Sequence, residues 1–78
     1  MPRYRFHIYN DEETLDETGR DFPDFAAARI DAIYSARDLM CAEIRSKGEI
    51  NLSHWIELEN DAGEIDVINF SDAVTIRQ

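Results

Sequence analysis

Residues 3–9, RYRFHIY, alternate strictly between polar and bulky apolar side chains. Tyr4, Phe6 and Ile8 fall on one side, and Arg3, Arg5, His7 and Tyr9 on the other. A period of two in aromatic and β-branched residues predicts a half-buried strand. Asn10-Asp11-Glu12 has turn chemistry. Residues 13–18 are expected to return as a second strand with Leu15 inward, short and acidic as a sheet edge should be. Gly19 marks the next turn.

The period then changes. Pro23 keeps the preceding chain out of the helical region, and Asp24 is a good N-cap for a helix over about 24–47. Gly48 ends it, tolerating a left-handed backbone at no steric cost. Lys47 in the last turn suits the helix dipole, and Glu43 precedes it at i,i+4 spacing. At 100° per residue, Phe25, Ala28, Ala32, Ile33, Ala36, Leu39, Met40 and Ile44 share one broad face. That face is expected to pack on the sheet, with the alanines allowing close approach. Ile30, Tyr34, Arg37 and Cys41 form a second stripe on the outer side.

Alternation resumes over residues 53–59, SHWIELE, with His54, Ile56 and Leu58 opposed to Ser53, Trp55, Glu57 and Glu59. Asn60-Asp61-Ala62-Gly63 is a hairpin signal. Residues 64–70 predict a last strand of ambiguous phase. Ile65 and Val67 imply one inward face, Ile68 and Phe70 the other, and a bulge would reconcile them. Ser71-Asp72 can cap a terminal turn, with Val74 and Ile76 tucked under helix or sheet.

The predicted fold is therefore α+β, with element order ββαββ and one domain over residues 1–78. It is a four-stranded antiparallel sheet, order 2-1-3-4, with one helix packed on one face. Arg3 and Arg5 are expected across from Glu57 and Glu59.

Composition narrows the function. The chain has 78 residues and a formal net charge of −9. Residues 23–48 carry four basic and four acidic side chains, whereas 49–78 carry one and seven. Such acidity disfavours direct binding to nucleic acid or an anionic membrane. A domain this small buries only about 60–65% of the surface its unfolded chain exposes, so a catalytic cleft would remove packing the fold needs. Cys41 is the only cysteine, which excludes an intramolecular disulfide and fits a reducing cytoplasm. The chain is polar from residue 2, without a hydrophobic signal region, and no apolar run approaches the roughly 20 residues that span a bilayer. The expectation is a cytoplasmic protein.

The opening MPRYRFHIY, the passage DETGRDFPDFAAAR and the ending DAGEIDVINFSDAV together resemble a family of small bacterial proteins. Its members typically begin MPRY-F-H, and it is known only as a domain of unknown function. The opening and the helix start Gly19-x-x-x-Pro23-Asp24-x-x-x-Ala28 are fairly specific, and the resemblance covers nearly the whole chain. It implies a cytoplasmic, single-domain bacterial protein and brings no catalytic residues with it. Members often have an aromatic residue where Arg5 stands, which implies a more polar outer strand face here.

Chemical constellations are sparse. His7, His54 and Cys41 lie on two strands and the outer side of the helix, and structural zinc wants about four converging ligands. Cys41 lies late in its helix, where the dipole opposes a thiolate. The acidic turns NDEETLDE and ENDAGEID lack calcium-loop spacing. Neither Ser53-His54 nor Ser71-Asp72 has the partners of a triad. No enzyme, cofactor or metal is expected.

Two surfaces remain. The open sheet face is expected to carry Arg3, Arg5, His7, Tyr9, Trp55 and Glu57, with Ile68 a further candidate. Trp, Tyr and Arg are the types enriched at interaction hot spots. The helix stripe of Ile30, Tyr34, Arg37 and Cys41 is the other. The leading expectation is a non-enzymatic interaction module, homodimeric or bound to another protein. The alternative is an acidic regulator of a basic protein surface, in the manner of a nucleic-acid mimic. A small-molecule or enzymatic role ranks last.

Overall fold

The computed structural model describes residues 2–78. Met1, which opens the MPRY motif, lies outside the described residues. In chain order the elements are β1 (Arg3–Tyr9), β2 (Glu13–Thr14), β3 (Arg20–Asp21), α1 (Phe25–Lys47), β4 (Trp55–Asn60), β5 (Ile65–Asn69) and α2 (Phe70–Ala73). The fold is α+β, an open antiparallel sheet with one main helix. The sheet has five strands rather than four. Its path is β2-β1-β4-β5, and β3 pairs with β1 off that path.

Residues 13–18 do not form one strand, and Leu15 is exposed rather than inward. β2 covers one end of β1, with Ile8 opposite Thr14, and β3 covers the other, with Tyr4 opposite Arg20. Between those pairs β1 advances four residues and the edge chain six. Two extra residues therefore loop out, and Asp16 fills the gap. Its Oδ2 accepts the Phe6 N–H at 3.1 Å, and its Oδ1 accepts the N–H groups of Thr18 and Gly19, both at 3.0 Å. The carboxylate stands in for the missing strand carbonyl.

Gly19 closes this loop with φ +76°, and a Cβ there would lie 2.8 Å from Arg3 Cγ and 2.9 Å from the Tyr4 carbonyl oxygen. Both the positive φ and the close backbone approach require glycine. Gly19→Ala is expected to destabilise the fold by about 2 kcal/mol. A urea midpoint equal to that of the wild type would contradict this.

The helix is capped as its sequence dictates. Asp24 Oδ1 accepts the Ala27 N–H at 2.9 Å, and Gly48, at φ 68°, donates its N–H to the Ile44 carbonyl. Ala28, Ala32, Ala36 and Met40 are buried against Tyr4, Phe6, Ile56, Leu58 and Ile68 of the sheet and Phe70 and Ala73 of α2. Phe25, Ile33 and Leu39 pack at the margin. Ile44, expected in this face, is exposed. An α1 of 23 residues is about 34 Å long, against about 23 Å for the seven residues of β1, so its last turn projects past the sheet.

The β4–β5 hairpin resolves the phase of the last strand without a bulge. Asn60 Oδ1 accepts the N–H groups of Ala62 and Glu64, and Gly63 takes φ 81°. The register then pairs Leu58 with Asp66 and Ile56 with Ile68 on the core side, and Glu59 with Ile65 and Glu57 with Val67 on the open side. Ile68 is thus fully buried and not on the open face. Ser71 and Asp72 lie within α2 instead of capping it, and Asn69 at its N-cap makes no side-chain bond. Val74 packs on the core, but Ile76 is exposed, since the chain leaves the helix after Arg37 Nε holds the Ala73 carbonyl at 2.7 Å.

Candidate functional site

The open face of the sheet has three cross-strand rows. Arg5, Glu59 and Ile65 form one, His7, Glu57 and Val67 the next, and Tyr9, Trp55 and Asn69 the third. Arg3 extends the β1 column and pairs across from Asp21, not from a glutamate of β4. Its guanidinium reaches Asp21 at 3.4 Å and the Thr18 carbonyl at 3.1 Å. Arg5 lies across from Glu59, and its side chain approaches Asp61 at 3.8 Å.

His7 is held on both ring nitrogens. Nδ1 accepts the Asp16 N–H at 3.0 Å, which leaves the proton on Nε2, donated to Glu59 Oε1 at 2.9 Å. The imidazole thus joins the edge loop to β4. Beside it, burial raises the pKa of Asp16, but the N–H groups of Gly19, Phe6 and Thr18, with His7, outweigh it and hold the carboxyl below the usual 3.8.

Tyr9 and Trp55 stack with ring centroids 5.1 Å apart and planes 9° from parallel. The indole N–H donates to Glu57 Oε2 at 3.3 Å. Desolvation, followed by the charges of Glu57 and Glu13, raises the Tyr9 phenol above its ordinary value. On the same face, Val67 in the adjacent row is 42% exposed, and Ile65 one row farther is 56% exposed. The pattern missed both residues because the phase of β5 was open. Counting back from the Asn60-to-Gly63 turn would have placed them. Arg3, Arg5, Glu57 and Glu59 give the β1–β4 part of this face two charges of each sign, and the edge strands add Glu13 beside Tyr9 and Asp21 beside Arg3.

On the far side of the molecule, Ile30, Tyr34, Arg37 and Cys41 are all exposed along α1. The Arg37 guanidinium lies 5.5 Å from the Tyr34 ring centroid while its Nε holds α2. Cys41 borders a shallow open depression with Ala42 and Arg45.

His54 is elsewhere again, buried against Phe70 with Nε2 3.4 Å from Asp11. Asp11 also takes the Lys47 ammonium at 2.9 Å, and that bond lowers the Asp11 pKa and raises that of Lys47. His7, His54 and Cys41 therefore occupy three separate surfaces. Among the described residues no group of three or more His, Cys, Asp or Glu side chains is placed to hold a metal ion. No described helix is long and apolar enough to cross a membrane.

No curated protein and no solved structure matches the chain. A family model does match, over residues 3–71, from the start of β1 into α2. The chain belongs to the family described as a domain of unknown function, DUF6894.

Proposed function

We propose that this chain is a non-enzymatic protein-interaction module that pairs with a second copy of itself, in a bacterial cytoplasm, on the open side of its sheet. One observation carries this reading. Ile65 and Val67 stand exposed on the same open face as the Tyr9–Trp55 stack, where Arg3 and Arg5 of β1 offset Glu57 and Glu59 of β4. Two copies of a strongly acidic chain repel each other over most approaches, and the apolar β5 border of this side, opposite the edge that carries Glu13 and Asp21, is where they can meet. A domain with so small a core also gains stability from association. The polar groups of β1 support a structural role over a catalytic one, since His7 is engaged on both nitrogens and Arg3 and Arg5 face acidic partners.

The test is solution mass by light scattering, from about 1 µM to about 1 mM chain, at low and high salt. The expected result is a dimer mass that persists in salt, and a monomer for Val67→Glu with an unchanged circular dichroism spectrum. A wild-type monomer under every condition would overturn the reading. It would favour the acidic-regulator alternative, whose complex with a basic protein should weaken as salt rises.

A further inference from the structure

The two edges of the sheet differ. On the β1 side, β2 and β3 are separated strands of two residues, and the Asp16 side chain has taken the Phe6 N–H between them. That edge is blunted. On the other side β5 runs for five residues with no described strand beyond it.

The free groups of β5 can be identified. Asn60 donates its N–H to the Glu64 carbonyl at 3.0 Å, and Phe70 donates to the His54 carbonyl at 2.9 Å. Hydrogen-bonded pairs alternate along an antiparallel ladder, so residues 64, 66, 68 and 70 turn their backbone groups toward β4. Ile65, Val67 and Asn69 turn theirs outward. Their side chains are exposed on the open face.

Resting on the self-pairing reading above, and placing the contact along the β5 border of the open side rather than across the whole face, we infer that the second copy joins edge to edge at β5, antiparallel, in a two-fold register centred on Val67. Val67 then opposes Val67 of the partner subunit, and Ile65 opposes Asn69 of the partner subunit. Each of these hydrogen-bonded pairs exchanges two N–H···O=C bonds. The apolar Ile65 and Val67 of both chains meet across the axis. Competing registers are worse. Centring on Asp66 sets two carboxylates opposite each other, and centring on Ile68 runs the overlap into α2. In the Val67 register Asp66 keeps its Arg29 partner, 2.9 Å away, and opposes Ile68 of the partner subunit. Glu64 and Asp72 flank the junction, so the two chains repel at low salt and pair more tightly as salt rises.

Amide hydrogen exchange on the full-length wild type, at dilute and concentrated chain, reads this directly. The amides of Ile65, Val67 and Asn69 are expected to slow at least tenfold on concentration, while those of Asp66 and Ile68, already bonded to β4, do not change. Val67→Pro removes an outward N–H without touching the β4 ladder, and should leave a folded monomer. A dimer whose 65, 67 and 69 amides stay fast would overturn the edge register and leave self-pairing standing, through the faces instead. A monomer throughout would end both. A monomer whose same amides are protected only by a Lys-Val repeat peptide, and lose that protection in salt, would overturn the second copy as the occupant.

Discussion

Asp16→Ala is expected to cost about 3 kcal/mol, the sum of hydrogen bonds from three backbone donors to one charged acceptor, reduced by partial exposure. Phe6 lies in the core, and its N–H would be left without an acceptor in the middle of the sheet. For a domain of this size that is a shift in melting temperature of roughly 12 °C or more. Asp16→Asn should fall between. Its single oxygen can serve Thr18 and Gly19 from the Oδ1 position, but its amide NH2 would then face the Phe6 N–H. Denaturant midpoints for the three proteins give the order, and an asparagine variant as stable as wild type would show that the charge is irrelevant.

The same group sets an acid limit. Its carboxyl titrates below the ordinary 3.8 in the folded chain. Its contribution is therefore complete above about pH 4 and is lost as pH falls through the lower folded value. Stability of the wild type should drop in that window, and that of Asp16→Ala should drop less. Asp11 is depressed by Lys47 in the same direction, so the comparison belongs at high salt, where that exposed pair is screened.

Ala32→Leu is the second large effect, again about 3 kcal/mol. Ala32 has no exposed surface and sits at the middle of the alanine row that α1 lays on the sheet. Three added carbons can be accepted only by lifting the helix from Ile56 and Leu58 or by forcing side chains off their rotamers. Leucine at position 30 on the outer stripe, Ile30→Leu, should shift stability by less than about 0.5 kcal/mol. Thermal unfolding of the pair separates close packing from helix propensity, since both substitutions introduce leucine in one helix.

These two sites differ in how far the sequence reveals them. Ala28, Ala32 and Ala36 recur every four residues between a good N-cap and a C-terminal glycine, and that pattern alone places the helix and its buried face. Asp16 sits in an acidic run that reads as a solvated turn. Its role depends on which N–H groups of β1 lack a strand partner, and no periodicity reports that. The shortening of the expected 13–18 strand to β2, and the second edge strand β3 beyond Gly19, are hidden for the same reason.

The open-face residues of β1 and β4, from Arg3 to Glu57, follow from strict alternation. Ile65 and Val67 do not, because the apolar residues from 64 to 70 fall in both phases, Ile65 and Val67 in one and Ile68 and Phe70 in the other. Only the hairpin register separates Val67, on the open face, from Ile68, in the core. Ile44 and Ile76 read as core because helical and strand periods say nothing about where the opposing layer ends.

The position of β1 has a consequence for how the chain is made. Its main partner is β4, with Tyr9 paired to Trp55 and Tyr4 to Asn60. During synthesis at about 5–20 residues per second, the first strand to emerge waits roughly 2–10 s before that partner exists. Over that interval Tyr4, Phe6 and Ile8 have only the short edge strands and the growing α1 to cover them. The slow event in folding should then be closure of the long excursion between Tyr9 and Trp55 rather than formation of the β4–β5 hairpin. A chain halted before Trp55 holds its helix and both edge strands but lacks the strand that makes them a sheet.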